Sequence, residues 1–457
     1  MTYLSKPRKR FKFSFFAAVL AFTFAAAPAS AAWKAGAAKV DITPSEPIWL
    51  AGYGNRDRPV SDVLQRIYVK ALALQDDSGR VSVLVTSDLL GFTAGLSKRV
   101  AERVEKKHGI ARAGLAFNAS HTHSAPVVGE MLRPAYKLGP EHVAPINRYT
   151  AKLEEQVVEV IDKAIGDLKP ATLSYEQGLA GFAVNRRRAG RGTKHLPSPV
   201  DHDVPVLAVK DSAGKVTAVV FGYACHATVL SGYEVSGDWP GWAQEDVERL
   251  YPGAVGLFVQ GCGADANPLP RRTVDLAKRY GATIAEAVDQ VVKGTMQPVE
   301  GSLKVALEHV PLPFQTPPTK EELQWRIKTE TTESRKRHAE YILEKLDRDG
   351  KLPTEYPYPL QVWQFGDDIT FIVMAGEVVV DYSLRFKKTY GWNNTWVAGY
   401  SNDVFAYIPS ERVLHEGGYE GGGAMIPYGQ SRPFKAGVEE IIANKVDELV
   451  QRLKGQP

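Results

Sequence analysis

The sequence predicts an α/β fold, with mixed β-sheets flanked by helices in one large domain that follows an N-terminal leader. Three observations predict it. Short apolar runs of strand length alternate with longer stretches of helical periodicity beyond the leader. Polar motifs stand directly after several of those runs, at the carboxyl ends of strands, where α/β sheets carry their sites. The composition, 44% hydrophobic and 24% charged over 457 residues, belongs to a globular chain with a large core rather than a disordered or fibrous one. Two cysteines exclude a disulfide scaffold or a cysteine-rich zinc module.

The leader comes first. Lys6, Arg8, Lys9, Arg10 and Lys12 form a basic stretch, residues 15–27 are almost wholly apolar, and Ala29-Ser30-Ala31 supplies small residues for a signal peptidase. Residues 1–31 are therefore expected to be a cleavable signal peptide, and residues 32–457 the mature domain, secreted or periplasmic. The apolar run is short of the ~20 residues that span a bilayer, and no later segment is long and apolar enough, so no integral span is expected after cleavage. Removing 1–31 takes five of the 56 Lys and Arg, leaving 51 against 52 acidic residues and a net charge of −1. That balance excludes nucleic acid as a partner, because phosphate neutralisation needs a basic face.

The elements follow in order. Residues 67–74 and 81–85 read as strands, 96–108 as a helix ending at Gly109, and 115–117 as a strand running into Asn118-Ala119-Ser120-His121-Thr122-His123-Ser124. A long helix is expected over 149–168, with Val157, Val160, Ile161 and Ala164 at helical spacing. Strands over 206–209 and 216–223 come next, the second reaching Ala224-Cys225-His226. A helix over 242–250 then leads to a strand over 254–259, which ends in Gln260-Gly261-Cys262-Gly263-Ala264-Asp265. Residues 317–350 change character, becoming highly charged and helical with too few apolar positions for a core, a surface excursion rather than a domain. Strands return at 360–365 and 369–375, a Gly- and Tyr-rich stretch fills 397–428, and a closing helix spans 437–453.

Four separated places carry donor groups. His121-Thr122-His123 follows a strand, and alternate residues of extended chain point one way, so both imidazoles can address one site. His226 ends another strand, as a ligand or as a hydrogen-bonded core histidine. Glu377 arrives after an apolar strand, where a carboxylate is costly to bury unless paired or metal-bound. Tyr407 and Tyr419 lie in the Tyr-rich stretch, as site groups or half-buried packing residues. Two imidazoles, a carboxylate and a tyrosine form an N/O donor set suited to Zn²⁺ with room for a water, whose pKa such an ion lowers to roughly 7.

These motifs, with Cys225-His226-Ala227-Thr228, Ala375-Gly376-Glu377, Gly399-Tyr400-Ser401-Asn402 and Tyr419-Glu420-Gly421, make the chain resemble the neutral/alkaline non-lysosomal ceramidases from about Ala35 to about Tyr428. The resemblance implies a single ceramidase-like catalytic domain holding one zinc through His121, His226, Glu377 and Tyr407. It also implies that His123, Arg186 (in Val184-Asn185-Arg186) and Tyr419 surround the scissile amide. Two departures matter. Ceramidases carry a serine nucleophile just before a proline, and here Asn267 precedes Pro268, an amide that cannot serve as an alkoxide. Ceramidases also continue into a C-terminal β-sandwich, whereas this chain stops about thirty residues after its last motif.

The expected function is an exported zinc-dependent hydrolase that cleaves an amide (N-acyl) bond of a small-molecule or lipid substrate by metal-activated water. A zinc esterase or lactonase on the same site and a non-catalytic exported binding protein are the competing readings. Asn267 is placed as a substrate-binding donor to the oxyanion. Asp265 is a candidate base or a partner orienting a ligand histidine, or else a turn residue, and Asp88 and Asp238 are either partners supporting the ligands or turn residues. Cys225 and Cys262 either bridge in an oxidising compartment or remain buried thiols. Nothing in the sequence points to an oligomeric state.

Overall fold

Period-two alternation of apolar residues decides the architecture. The computed structural model describes residues 1–4, 33–188 and 199–455, and the chain divides into a unit of residues 1–30 and a unit of residues 31–457. Apart from its first four residues, the expected signal peptide lies outside the described part. The larger unit begins with β1 (Trp33–Asp41), β2 (Tyr68–Gln75), β3 (Val81–Ser87), β4 (Leu115–Ala119) and β5 (Lys169–Leu179). There follow β6 (Ala183–Asn185), β7 (Asp203–Asp211), β8 (Val216–Tyr223), β9 (Val255–Gln260), β10 (Ala266–Pro268) and β11 (Gln297–Val299). All but β6 and β10 build one nine-stranded sheet, in the order β4-β3-β2-β1-β5-β7-β8-β9, with β11 also on β5.

Five of the later strands are β12 (Leu303–Pro313), β13 (Glu355–Phe365), β14 (Ile369–Met374), β15 (Glu377–Val378) and β16 (Thr395–Ala398). The last is β17 (Tyr407–Ile408). β12, β13, β14 and β16 make a second sheet, and two-stranded ribbons join β10 to β6 and β15 to β17. Both large sheets are mixed: β3/β4, β8/β9 and β14/β16 are parallel, and their other pairs run antiparallel.

The two sheets pack face to face, which the sequence reading did not anticipate. Leu72, Leu74, Leu84, Val220 and Leu257 of the first meet Trp363, Phe365, Phe371, Val373 and Trp396 of the second in one core cluster. The intervening residues Val69, Ala71, Ala73, Val83 and Val85 point the other way, into a cluster beneath helices α1 (Ala94–His108) and α2 (Pro140–Gly166). Val219 and Phe221 likewise turn toward α3 (Asp238–Leu250) and α4 (Val274–Lys293). Strands buried on both faces read as continuous apolar runs, so the sequence marks them without saying which layer lies beyond. At about 1.5–3 kcal/mol for each large apolar side chain buried, these layers carry most of the favourable folding energy.

The charged excursion resolves into two helices, α5 (Lys320–Thr329) and α6 (Glu333–Asp349), around the small cluster of Leu323, Ala339, Ile342 and Leu352. It grips the body through Arg337 on the Pro134 and Ala135 carbonyls and His338 on the Gln430 carbonyl. α7 (Val380–Tyr390), α8 (Glu411–Glu416) and α9 (Val438–Lys454) complete the helices among the described residues, with α7 and α9 on the outer face of the second sheet. Among those residues no helix is long and apolar enough to cross a membrane. α2 starts nine residues before the predicted 149, because Pro140 suits a first helical turn and Pro145 sits too near that end to stop it. The sequence reading passed over α4, whose Gly281 lowers helix propensity. A Cβ there would come 2.7 Å from that of Trp242, so the glycine lets α4 approach α3.

The first sheet curls until its end strands meet. The buried Asn118 side chain of β4 accepts from the Gln260 amide of β9 (2.8 Å) and donates to the Gly399 carbonyl (2.8 Å) and Ser401 hydroxyl (3.0 Å). One amide thus replaces a missing strand partner and ties three chain segments together just before His121. Replacing it with the similarly sized leucine orphans the Gln260 backbone N–H, worth about 1–3 kcal/mol when buried unpaired, whereas the Gly399 carbonyl keeps the Ser401 hydroxyl (2.7 Å). Asn118→Leu is expected to lower the unfolding free energy by ~1–3 kcal/mol in urea titration. An unchanged midpoint would show that the bridge carries no stability.

Candidate metal centre

Four chain segments converge beyond that bridge. His121 follows β4, His226 follows β8, Glu377 opens β15, and Tyr407 opens β17 directly opposite Glu377 in the parallel register. All four are 0–3% exposed. His121 (φ 59°) and the neighbouring Tyr400 (φ 51°), whose rings lie 4.5 Å apart, adopt the left-handed backbone that costs non-glycine residues about 1–2 kcal/mol. Such conformations persist where the surroundings over-determine them, commonly at sites.

The imidazoles are held in a defined tautomer. His121 Nδ1 lies 2.7 Å from the Leu90 carbonyl, and His226 Nδ1 lies 2.8 Å from the Gly263 carbonyl. A carbonyl only accepts, so each Nδ1 carries the proton and each Nε2 presents a bare lone pair inward. Burial, reinforced by Arg186, pushes the His226 imidazole down to about 4, so it is neutral at pH 7.

The two Nε2 atoms share one oxygen: Glu377 Oε2 is 3.2 Å from that of His121 and 3.1 Å from that of His226. This oxygen is buried and makes no hydrogen bond of acceptable geometry. Atoms ~2.1 Å from a tetrahedral ion stand ~3.4 Å apart, so this spacing without hydrogen-bond direction suits donors around a cation. The Tyr407 hydroxyl, 3.3 Å from His226 Nε2, offers a fourth donor. The other Glu377 oxygen accepts from Tyr428 (2.5 Å). A buried carboxylate facing two bare imidazole lone pairs calls for a positive charge, so the residues fit a divalent ion.

His123 joins the same cluster, its Nε2 3.2 Å from that of His121, so the three imidazoles form one group able to hold a metal. It differs from the other two in being partly exposed and in having a buried Nδ1 with no partner. Its ring packs 4.7 Å from that of Tyr53, and a Cβ on Gly52 (φ 95°) would strike it at 2.4 Å. Arg186 donates to the Tyr407 hydroxyl (2.9 Å) while its Nε holds Glu420 (2.7 Å), so it is part of the site and not a solvated patch. Tyr419 is 48% exposed, its ring 5.2 Å from that of Tyr407.

The remaining sequence candidates stand apart. Asp265 does not orient either histidine: its oxygens accept from the Val380 amide and Asn185 Nδ2, both 2.9 Å, and the His121 and His226 rings face backbone carbonyls instead. Its carbonyl accepts from the Arg186 amide (2.7 Å), which makes it a scaffold for the Arg186 turn. Asp238 accepts from the amides of Val229, Leu230 and Trp239, and Asp88 from Tyr68 and Gln244. Asn267 lies in β10, 7% exposed, with its Oδ1 unpartnered. Cys225 and Cys262 are buried free thiols. The sequence reading left Tyr428, Glu420 and Gly52 unassigned. An acid in the Gly-rich Tyr419-Glu420-Gly421 stretch was the one signal that could have exposed Glu420.

Known proteins share this fold and parts of this sequence. A family model described as neutral/alkaline non-lysosomal ceramidase, N-terminal, matches residues 33–265, 233 of the 457. Neutral ceramidases of Drosophila melanogaster and Drosophila pseudoobscura pseudoobscura are 30% and 29% identical over 114 residues, 24% of this chain and 16% of each relative. The solved neutral ceramidase from Pseudomonas aeruginosa superposes with a TM-score of 0.72 at 17% identity, covering 93% of this chain and 75% of that one. A ceramidase complexed with C2 gives 0.71 at 16%, with 93% and 76% covered.

If the buried donors hold an ion, adding one equivalent of a divalent transition metal to chelator-stripped protein should raise its melting temperature, since a ligand specific to the folded state stabilises it. His226→Ala and Glu377→Gln should abolish that rise and retain under one ion per chain by elemental analysis. Tight, stoichiometric metal in His226→Ala would remove His226 from the set.

Proposed function

The chain belongs to the neutral/alkaline non-lysosomal ceramidase family, and on that premise we propose that it is an exported zinc hydrolase cleaving an N-acyl amide bond by direct attack of water. The observation that carries this reading is the Glu377 oxygen shared between two imidazoles whose tautomers are locked with bare nitrogens inward. His121, His226, Glu377 and Tyr407 would hold the ion. When bound, zinc supplies a Lewis acid that lowers the pKa of water and polarises a carbonyl.

The chain's own residues divide the remaining work. His123 is the one imidazole of the cluster without a fixed Nδ1, so it is free to take a proton from the attacking water and return it to the departing amine. Burial, with His121 and His226 beside it, holds His123 well below its ordinary range, so it is a neutral acceptor at pH 7. Arg186, held by Glu420, and the exposed Tyr419 would donate to the oxygen that gains negative charge. Asn267 supplies no alkoxide at the position of the family's serine, which supports a route without an acyl-enzyme. The leader over residues 1–31 supports export.

The test is turnover of N-acyl amides by zinc-loaded protein. Glu377→Gln should lose both zinc and activity. Arg186→Ala should lose about 10²–10³-fold in kcat, the usual effect of removing an oxyanion donor. Asn267→Ala should keep substantial activity, and no pre-steady-state burst should appear. Trapping an acyl adduct on any side chain, with Thr228 and Ser124 the first to inspect, would overturn the water route.

A further inference from the structure

We propose that the rim of the site around Tyr53 binds an anionic group, a carboxylate or a phosphate, so that the amides accepted are acidic ones. This rests on the amidase reading above and adds the substrate class. Tyr53 packs 4.7 Å from His123, and two guanidinium groups lie close to the same tyrosine ring, Arg56 at 5.0 Å and Arg272 at 5.6 Å. Arg272 also donates to the Tyr53 hydroxyl (3.2 Å), Arg271 precedes it in the chain, and Arg58 lies 4.3 Å from the ring of Tyr233.

Among the described residues, none of these four arginines has a carboxylate within 4.0 Å. The contrast within the same site is plain, because Arg186 and Arg187 are both paired with Glu420. Arg56 is the most telling. Only 4% exposed, it donates to the carbonyls of Ala51 (2.6 Å) and Gly232 (2.9 Å), while its buried Nε has no partner. A buried guanidinium without an anion is expensive, and a bound one removes that cost.

Two acids nearby are occupied, and Glu234, beside Gly232, is exposed and lies beyond 4.0 Å of these guanidinium groups. Asp57 accepts the Tyr233 hydroxyl (2.9 Å), and Asp238 is fully buried beneath three backbone amides.

Burial falls steadily along this path. The donor atoms are sealed, His123 and Tyr53 are half-buried, Arg271 is half-buried, and Arg272 is exposed. A substrate whose amide reacts beside His123 therefore passes one aromatic ring before reaching unpaired cations. Guanidinium forks match carboxylate and phosphate oxygens, and such charge-assisted bonds change affinity by about tenfold to hundredfold each.

The experiment compares N-hexanoylglycine, N-hexanoyl-O-phosphoethanolamine and neutral N-hexanoylethanolamine with the zinc-loaded full chain and with the Arg271→Gln/Arg272→Gln double variant. Wild type should favour one or both anionic amides over the neutral one by at least tenfold in kcat/KM, mainly through KM, and salt should erode the preference. The double variant should bring the ratio toward one, whereas a merely structural loss would lower all three together. The anionic amide that loses more identifies carboxylate or phosphate. A wild-type ratio near one, or a ratio that the variant leaves unchanged, overturns the inference while leaving the amidase reading intact. Turnover of none of the three counts against the amidase reading, and calorimetric binding of N-hexanoylglycine then decides the rim by itself. Tenfold weaker binding in the variant supports it, and equal binding overturns it.

Discussion

The site depends on one constraint, that a carboxylate removed from water must find positive charge. Glu377 is 3% exposed, and the two imidazoles facing its inner oxygen carry their protons on the far side, pinned by the Leu90 and Gly263 carbonyls. Neither ring therefore supplies a hydrogen bond to that oxygen. Desolvating an ion costs several kcal/mol even after relaxation, and no protein group in the cluster offsets it completely. A cation among the donors would offset that cost, and the carbonyl locks keep each Nδ1 protonated and raise the basicity of the Nε2 atoms that face it.

Meeting that constraint requires four distant segments to arrive at one point, and the fold arranges this at its seams. Asn118 joins the two ends of the large sheet and the end of β16, setting His121 beside the segment that holds His226. Parallel pairing of β15 with β17 places Glu377 opposite Tyr407. Gly376 (φ 74°) stands where a Cβ would meet the Ala406 carbonyl at 2.7 Å, so the turn into Glu377 needs its glycine. The charged excursion contributes as well. α6 fixes the Gln430 carbonyl, two residues from the Tyr428 that hydrogen-bonds Glu377.

The rim obeys the opposite rule. Inside, every charge is matched or awaits a metal, as with Arg186 and Arg187 on Glu420. Around Tyr53 the guanidinium groups have no carboxylate within 4.0 Å among the described residues, so positive charge is left uncompensated at the mouth. A floor of imidazoles and one carboxylate beneath a guanidinium-rich mouth orients a molecule that is polar at one end and anionic at the other.

Much of this was legible in the sequence, and the reasons are local. Strands buried on both faces write themselves as apolar runs, and donors that follow such runs fall at strand ends, so His121, His226 and Glu377 stood out from residue type and position alone. Arg186 and Tyr407 rested on motif resemblance, because nothing local separates a site arginine from a solvated one. Asp265 was read as a candidate partner of a histidine, and only the tertiary structure shows its oxygens bound to Val380 and Asn185. The same holds for Tyr428, Glu420 and the unpaired Tyr53 rim, and for the packing of one sheet upon the other. The sequence by itself determined which residues can donate and which segments can be strands. Tertiary structure alone decided which carbonyl locks each ring, which acid pairs each arginine and which arginine has none, because a partner is set by contacts hundreds of residues apart.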